Sequence, residues 1–404
     1  MTARRVVYLL PDPGVPVDGT KGASVHVAEV CRALAARGAE VTLVAQRCAR
    51  GGDPVDRVRG AFQLVLLDPG PLPRGPGGDP ARIAAADDFA ARAAEVLADR
   101  NPDLVYERLA LFFGWGRSLA AAVGAARLVE VNAPVAAERR RSIGLLATDV
   151  ADRAERAALV GAKVLAVSEP LAAWAQGRGA ATVEVVPNGV DGPRFAAPGQ
   201  RAAARVIRRN LGLLDAEVVG FIGSLKPWHG VEILLEAAAE LAIGRPRLRV
   251  LVVGEGPGRL ELERHATIGP LAGRVSFTGA VAPERVPAHL AALDIAVAPY
   301  RPGPDFYFSP LKVVEAMAAG RPVVASRFAP IERMLSGAGV LVTPGDPGEL
   351  ARALARLLDD PDEADRLGRR AARRARRAHG WDRVAARILA SAEPVRGDHS
   401  TVPE

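Results

Sequence analysis

DFYFSPLKVVEAMAAGRPVVAS, residues 305–326, holds a loop, a helix and a buried strand in one run. Ser is a favoured N-cap and Pro a favoured first helical residue, so the helix is expected to begin at Pro310 with Ser309 capping it. Gly320 stops it, and residues 321–325 form the strand. Such a start leaves the amides of Leu311 and Lys312 unpaired at a positive helix end, where phosphate binds well. Lys312 and Glu315 are three residues apart and share a face. The ammonium suits a diphosphate, and a carboxylate one turn deeper can accept hydrogen bonds from two ribose hydroxyls. The competing reading is a capped helix with an internal Lys312–Glu315 ion pair.

Outward from this stretch the same alternation fills the chain. Strands are expected at 5–10, 41–45, 63–67, 104–107, 128–131, 164–167 and 183–186, then at 218–222, 248–253, 275–278, 295–298 and 339–342. Helices are expected at 24–37, 80–100, 147–160, 231–242, 283–293, 347–358 and 381–390, with a buried helix after Leu109. The turn cluster 187–191 and the Arg-rich segment to Asn210 read as an interdomain connection. At 404 residues the chain accommodates two such domains. In parallel sheets of this kind ligands sit at the carboxyl ends of the strands. Gly19 and Gly22 allow backbone to approach a ligand there, His26 is expected to face out from the first helical turn, and Glu130 and Asn132 end a strand. ERRRS, 138–142, is a solvated basic turn or an acceptor-side patch. The loop Gly254-Glu255-Gly256-Pro257-Gly258 is followed by Arg259, where a dinucleotide fingerprint requires Gly, which disfavours a dehydrogenase.

Composition narrows the function. A chain that is 49% hydrophobic and 25% charged is ordinary for a soluble protein. The net charge of +7 is spread over helices, aromatics are 4%, and nucleic-acid motifs are lacking, so nucleic acid is not an expected partner. The apolar run 6–10 is too short for a signal peptide, and Arg117 with three glycines makes 109–126 a poor membrane span. Cys31 and Cys48 lack metal-ligand spacing and suit a reducing cytosol. The chain is therefore expected in the cytoplasm, at most peripheral to the inner face of a membrane. Of 53 basic residues only four are lysines, and Lys21, Lys226 and Lys312 all sit in glycine-rich loops or at a helix start, where a compact ammonium meets phosphate.

Six segments together resemble the retaining, nucleotide-sugar-dependent glycosyltransferases of family 4. They are KGASVHVAEVCRALAARGAEVTLV (21–44), VPNGVD (186–191), GFIGSLKPWHGVEILLEAAAEL (220–241), VLVVGEGPGRLELE (250–263), VSFTGAVAPERVPAHLAALDIAVAPY (275–300) and SPLKVVEAMAAGRPVVAS (309–326). The resemblance implies the α/β GT-B fold, two Rossmann-like doubly wound parallel-sheet domains facing across a cleft. It implies an acceptor-binding domain over 1–186, a nucleotide-sugar-binding domain over 187–380, a helix over 381–392 crossing back to the first, and a disordered tail over 393–404. On the donor side it places Gly223, Ser224, Gly254, Gly256, Val281, Tyr307, Ser309, Pro310, Leu311 and Glu315, with Glu315 on the ribose. Catalytic roles are expected for Lys226, Lys312, Asn132 and His229; the resemblance brings Gly22 up to the phosphates, and Gly22, His26 and Glu130 are expected on the acceptor side of the cleft. Four departures stand out: Tyr307 replaces the first of two glutamates, Ser224 and His229 replace the Arg and Lys of the diphosphate loop, and Asn132 replaces a sugar-contacting His.

The implied reaction moves a sugar from a nucleoside-diphosphate sugar, UDP-sugar favoured, to an acceptor hydroxyl with retention. No metal and no cofactor beyond the donor are expected. Two alternatives stay open: a sugar-nucleotide epimerase or inverting GT-B transferase, and a non-catalytic nucleotide-sugar-binding protein.

Overall fold

The computed structural model describes residues 4–48, 61–303 and 306–393; Asp305 and the tail beyond Glu393 lie outside them. Seven strands form the first sheet: β1 Arg5–Leu10, β2 Glu40–Ala45, β3 Gln63–Leu66, β4 Leu104–Arg108, β5 Ala126–Val131, β6 Lys163–Ala166 and β7 Thr182–Val185. The second has six: β8 Glu217–Ile222, β9 Leu248–Val253, β10 Val275–Phe277, β11 Ile295–Ala298, β12 Val323–Ser326 and β13 Val340–Val342. The orders are β3-β2-β1-β4-β5-β6-β7 and β10-β9-β8-β11-β12-β13, every pairing parallel.

Parallel strands covered by helices on both faces are largely apolar, and β1 and β8 are so after their first residue. Val6 to Leu10 and Val218 to Phe221 are fully buried runs. In each sheet the order reverses beside the first strand, between β1 and β4 and between β8 and β11, which opens a crevice at the carboxyl ends. The helix Trp381–Ser391 packs Trp381, Val384 and Ile388 into the core of the first sheet. Arg4 holds it from below, donating to the carbonyls of Leu389 and Ala392 at 2.9 Å each.

Three local expectations are corrected. After Leu109 the helix is confined to Gly116–Ala122, because the chain turns first at Phe112, whose φ is +65°. The 187–210 segment is mostly helical, Gly192–Ala196 and Gly199–Asn210, and Phe195 and Ala204 enter the core of the second domain. The central helix runs Leu311–Ala318 with Pro310 at its N-cap, one residue later than expected. Ser309 does not cap it, since its Oγ accepts the Asn188 N–H at 3.0 Å.

Candidate active site

Two loops of the second domain build the floor of the crevice. The one after β8, 223–230, lies against the one after β9, 254–258, backbone to backbone. Gly223 N donates to Val253 O, Leu225 N to Glu255 O and Gly258 N to Leu225 O, all within 2.9 to 3.0 Å. Gly254 has φ +143°, and a Cβ there would stand 1.8 Å from Gly223 O; one at Gly256 would stand 2.7 Å from Leu225 N. Both glycines are thus required by the contact between loops. Gly254 N also donates to Gly279 O at 2.9 Å, two residues before Val281.

The Leu311–Ala318 helix opens onto this floor. Its first amides have no carbonyl a turn earlier to bond, so they point out of the helix end. Lys312 Nζ is shut off from solvent and has no hydrogen-bond partner. It lies 4.3 Å from the Phe221 ring centre and 5.0 Å from that of Tyr300, with its terminal atoms against Gly223. Burial pulls Lys312 down to about 7, Lys226 adding to the fall and Glu315 opposing it. Lys226 rests on Trp228, 4.6 Å from its ring centre. Burial lowers it too, while Glu138 and Lys21, both of the first domain, pull in opposite directions. Lys226 thus lies near enough to Lys312 to lower its affinity for a proton.

Glu315 is half-buried one turn below Lys312. Burial pushes it up to about 7, with Arg194 and Lys312 opposing and Glu29 adding. Among the described residues Lys312 and Glu315 are not joined by an ion pair, so the structure does not use them to hold each other. His229 is not a cation. Burial and the nearby Lys312 hold it down to about 2, and its Nδ1 donates to Ser224 O at 2.5 Å. The expected positive charge of the diphosphate loop thus falls to the lysines and the helix mouth.

On the first domain, His26 does not face out from its helix and Glu130 is buried beside it; they are 4% and 2% exposed. Glu130 accepts from Tyr8 Oη at 2.5 Å and Asn132 Nδ2 at 2.7 Å, with Arg108 at 3.5 Å and His26 Nε2 against it. Burial would raise its pKa, but His26 and Arg108 outweigh that and hold it well below the usual carboxylate range. His26 is buried because the linker and Trp381 cover it, which local sequence could not show. Gly22, at the start of the Gly22–Ala36 helix, meets Leu311 across the cleft; a Cβ there would be 3.4 Å from its Cδ1.

Tyr307 is also corrected. It is buried in the first domain among residues of β5, β6 and the Glu169–Gly177 helix, and its carbonyl accepts from Ser168 Oγ at 2.6 Å. It joins the second domain to the first at this point. ERRRS lies in the Val135–Ser142 helix and is mixed in character. Arg139 turns inward to donate to Gly75 O at 2.9 Å, whereas Arg140 pairs with Asp152 at the surface. Asp360-Pro361-Asp362, an Asp-x-Asp pair, begins a helix, Asp360 accepting from Glu363 N at 2.8 Å.

A twofold repeat of doubly wound sheets with a helix mouth on the shared crevice is the GT-B architecture. A sucrose-phosphate synthase from Thermosynechococcus elongatus has the same fold, with a TM-score of 0.74 at 21% identity over 96% of this chain and 98% of that one. Residues 20–192 match the model of Glycosyltransferase Family 4 and residues 216–360 that of Glycosyl transferases group 1. A D-inositol 3-phosphate glycosyltransferase from Geodermatophilus obscurus is 31% identical over 98% of this chain and 90% of its own length. This chain belongs to the family 4 (group 1) glycosyltransferases. A GDP-mannose-dependent alpha-(1-6)-phosphatidylinositol monomannoside mannosyltransferase from Mycolicibacterium smegmatis is 37% identical, over 45% of this chain and 48% of that protein. The chain spans about half the length of that and other relatives it matches. Among the described residues, no helix is long and apolar enough to cross a membrane.

Proposed function

We propose that this protein transfers a glycosyl group from a nucleoside-diphosphate sugar to an acceptor hydroxyl, with retention at the anomeric carbon and without a metal. One observation carries the reading: the Leu311–Ala318 helix opens onto the cleft with the unpartnered Lys312 ammonium at its mouth and Glu315 one turn deeper. The diphosphate lies against the helix amides, Lys312 and Lys226, and the ribose hydroxyls donate to Glu315. Reaching the phosphate requires Lys312 to swing off Phe221 and Tyr300, which a dianion's attraction supplies. As the anomeric C–O bond to phosphate breaks, charge builds on the leaving oxygen. The two ammonium groups and the helix end meet it, each such donor contributing about 3 kcal/mol. The acceptor oxygen bonds to the same face of the anomeric carbon, and its proton passes to the departing phosphate oxygen. The first domain supplies most of the acceptor contacts. Free Cys31 and Cys48 fit a cytoplasmic enzyme.

UDP is the first candidate base, being common in the family, and the relative named for GDP-mannose makes GDP the second. A thermal-shift screen of UDP, GDP, ADP and dTDP tests the donor site. Binding to the native state at 100 times Kd adds about 2.7 kcal/mol, and a screen in which none raises Tm overturns the reading. NMR of the product then distinguishes retention from inversion, and turnover in a chelator tests metal independence.

The two perturbed groups give a pH dependence. Lys312 binds diphosphate protonated, a form lost as pH rises through 7, and Glu315 accepts from ribose ionised, a form lost as pH falls through 7. Affinity for a nucleotide sugar is expected to peak near neutrality and to fall by up to about tenfold per pH unit on either side. Calorimetric titration across neutrality checks this, and a flat profile contradicts it.

A further inference from the structure

Both passages of the chain between the domains meet at one side chain, His26. The first passage, through 187–191, pairs Val190 with Gly380 of the second, and Val190 N donates to His379 O at 2.6 Å. Trp381 lies so close to Gly189 that a Cβ there would be 2.6 Å from the indole, and His26 sits edge-on to that indole at 5.3 Å between ring centres. His26 Nδ1 is 2.8 Å from Asn188 Oδ1, and its other nitrogen faces Glu130. Asn188 in turn grips Ser309 twice: its Nδ2 donates to the Ser309 carbonyl at 2.6 Å and its backbone N–H to Ser309 Oγ at 3.0 Å. Ser309 immediately precedes the cap of the Leu311–Ala318 helix.

We propose that His26 is a positioning residue: by fixing Asn188 it fixes Ser309, so that the first domain sets the geometry of the helix mouth carried by the second. The claim rests on the donor-site reading above and deepens it.

The chemistry of the amide explains why a ring nitrogen is needed. Asn188 must present Nδ2 to Ser309 O, which turns its Oδ1 toward His26. Remove the ring donor and the amide is free to flip, putting oxygen against the Ser309 carbonyl and pushing the segment away. Satisfying Glu130 is not a sufficient role for His26, because Tyr8, Asn132 and Arg108 already supply that carboxylate with donors.

The test uses the full chain with UDP and GDP as probes. His26→Phe keeps a ring against Trp381 and removes both nitrogens; Asn188→Ala removes the grip; His26→Asn returns a donor at the Nδ1 position. His26→Phe and Asn188→Ala are each expected to weaken nucleotide binding about tenfold or more, the double variant to be no weaker than either single, and His26→Asn to recover most of the loss. The acceptor KM should stay within about twofold, since no acceptor contact is removed. Unchanged nucleotide affinity in a folded His26→Phe, additive losses in the double variant, or a rise confined to acceptor KM overturns the proposal. Hydrogen exchange at the amides of Asn188 and Val313, which donate to Ser309 Oγ and Pro310 O, read without ligand, separates this from failure of the donor site. Faster exchange in His26→Phe supports the coupling even where no nucleotide binds, and equal exchange overturns it.

Discussion

Lys312→Met is expected to lower kcat/KM by about 10²–10³ while raising the melting temperature. The loss follows from removing the cation that swings onto the leaving diphosphate. The gain follows from the same ammonium being buried without a hydrogen-bond partner, a desolvation cost that the thioether does not carry. The two effects have opposite signs, which a variant that merely misfolds cannot reproduce. Linkage gives a further check. Folding lowers the pKa of Lys312 from its ordinary 10.5 to about 7, so between those values the unfolded chain binds more protons than the folded one. The wild type therefore gains stability as pH rises through this window, and its deficit against Lys312→Met closes. Thermal melts of both proteins from neutral to alkaline pH, beside steady-state kinetics, measure all three. Wild-type kinetics in the Met variant removes Lys312 from the site.

Gly254→Ala is expected to cost more than about 2 kcal/mol and to abolish nucleotide binding. Its φ of +143° belongs to glycine, and the new methyl would enter the space of Gly223 O, 1.8 Å away. The neighbour is backbone, held by its own bond to Val253 O, so it cannot give way without parting the two loops. Gly199→Ala is the control. A Cβ there meets nothing within 4 Å in an ordinary helical backbone, and a change within about 0.5 kcal/mol is expected. Urea denaturation and calorimetry with UDP and GDP read both variants, and equal behaviour of the two would refute the packing argument.

The two-sheet architecture was legible because parallel strands covered on both faces need uninterrupted apolar runs, and 6–10, 218–222 and 250–253 are such runs. The helix mouth was legible for a local reason too: Pro310, Lys312, Glu315 and Gly320 each state a position relative to a helix end. What sequence missed depends on distant neighbours. Ser309 looks like a cap until Asn188, 121 positions away, takes its hydroxyl. His26 looks exposed on its own helix and is buried by Trp381, from the far end of the chain. Tyr307 stands where a glutamate was expected and its burial could be read only with β5 and β6 in place. His229 could pass for a cation until Phe221, Tyr300 and Lys312 surround it. Helix Gly199–Asn210 was hidden by its arginines, since its one fully buried residue is Ala204. Phe195 and Ala204 are weak signals in a polar stretch, yet their spacing with Ile207 and Leu211 was the available clue.

The pairing of Val190 with Gly380 has a mechanical consequence. Two chain passages bound to each other at one point act as a single pivot, so turning one half against the other displaces atoms in proportion to their distance from it. Ser309, gripped by Asn188 two residues before Val190, is tied to that point, and with it the start of the next helix. A rotation about this point would displace the outer rims of the two sheets more than the mouth of the Leu311–Ala318 helix.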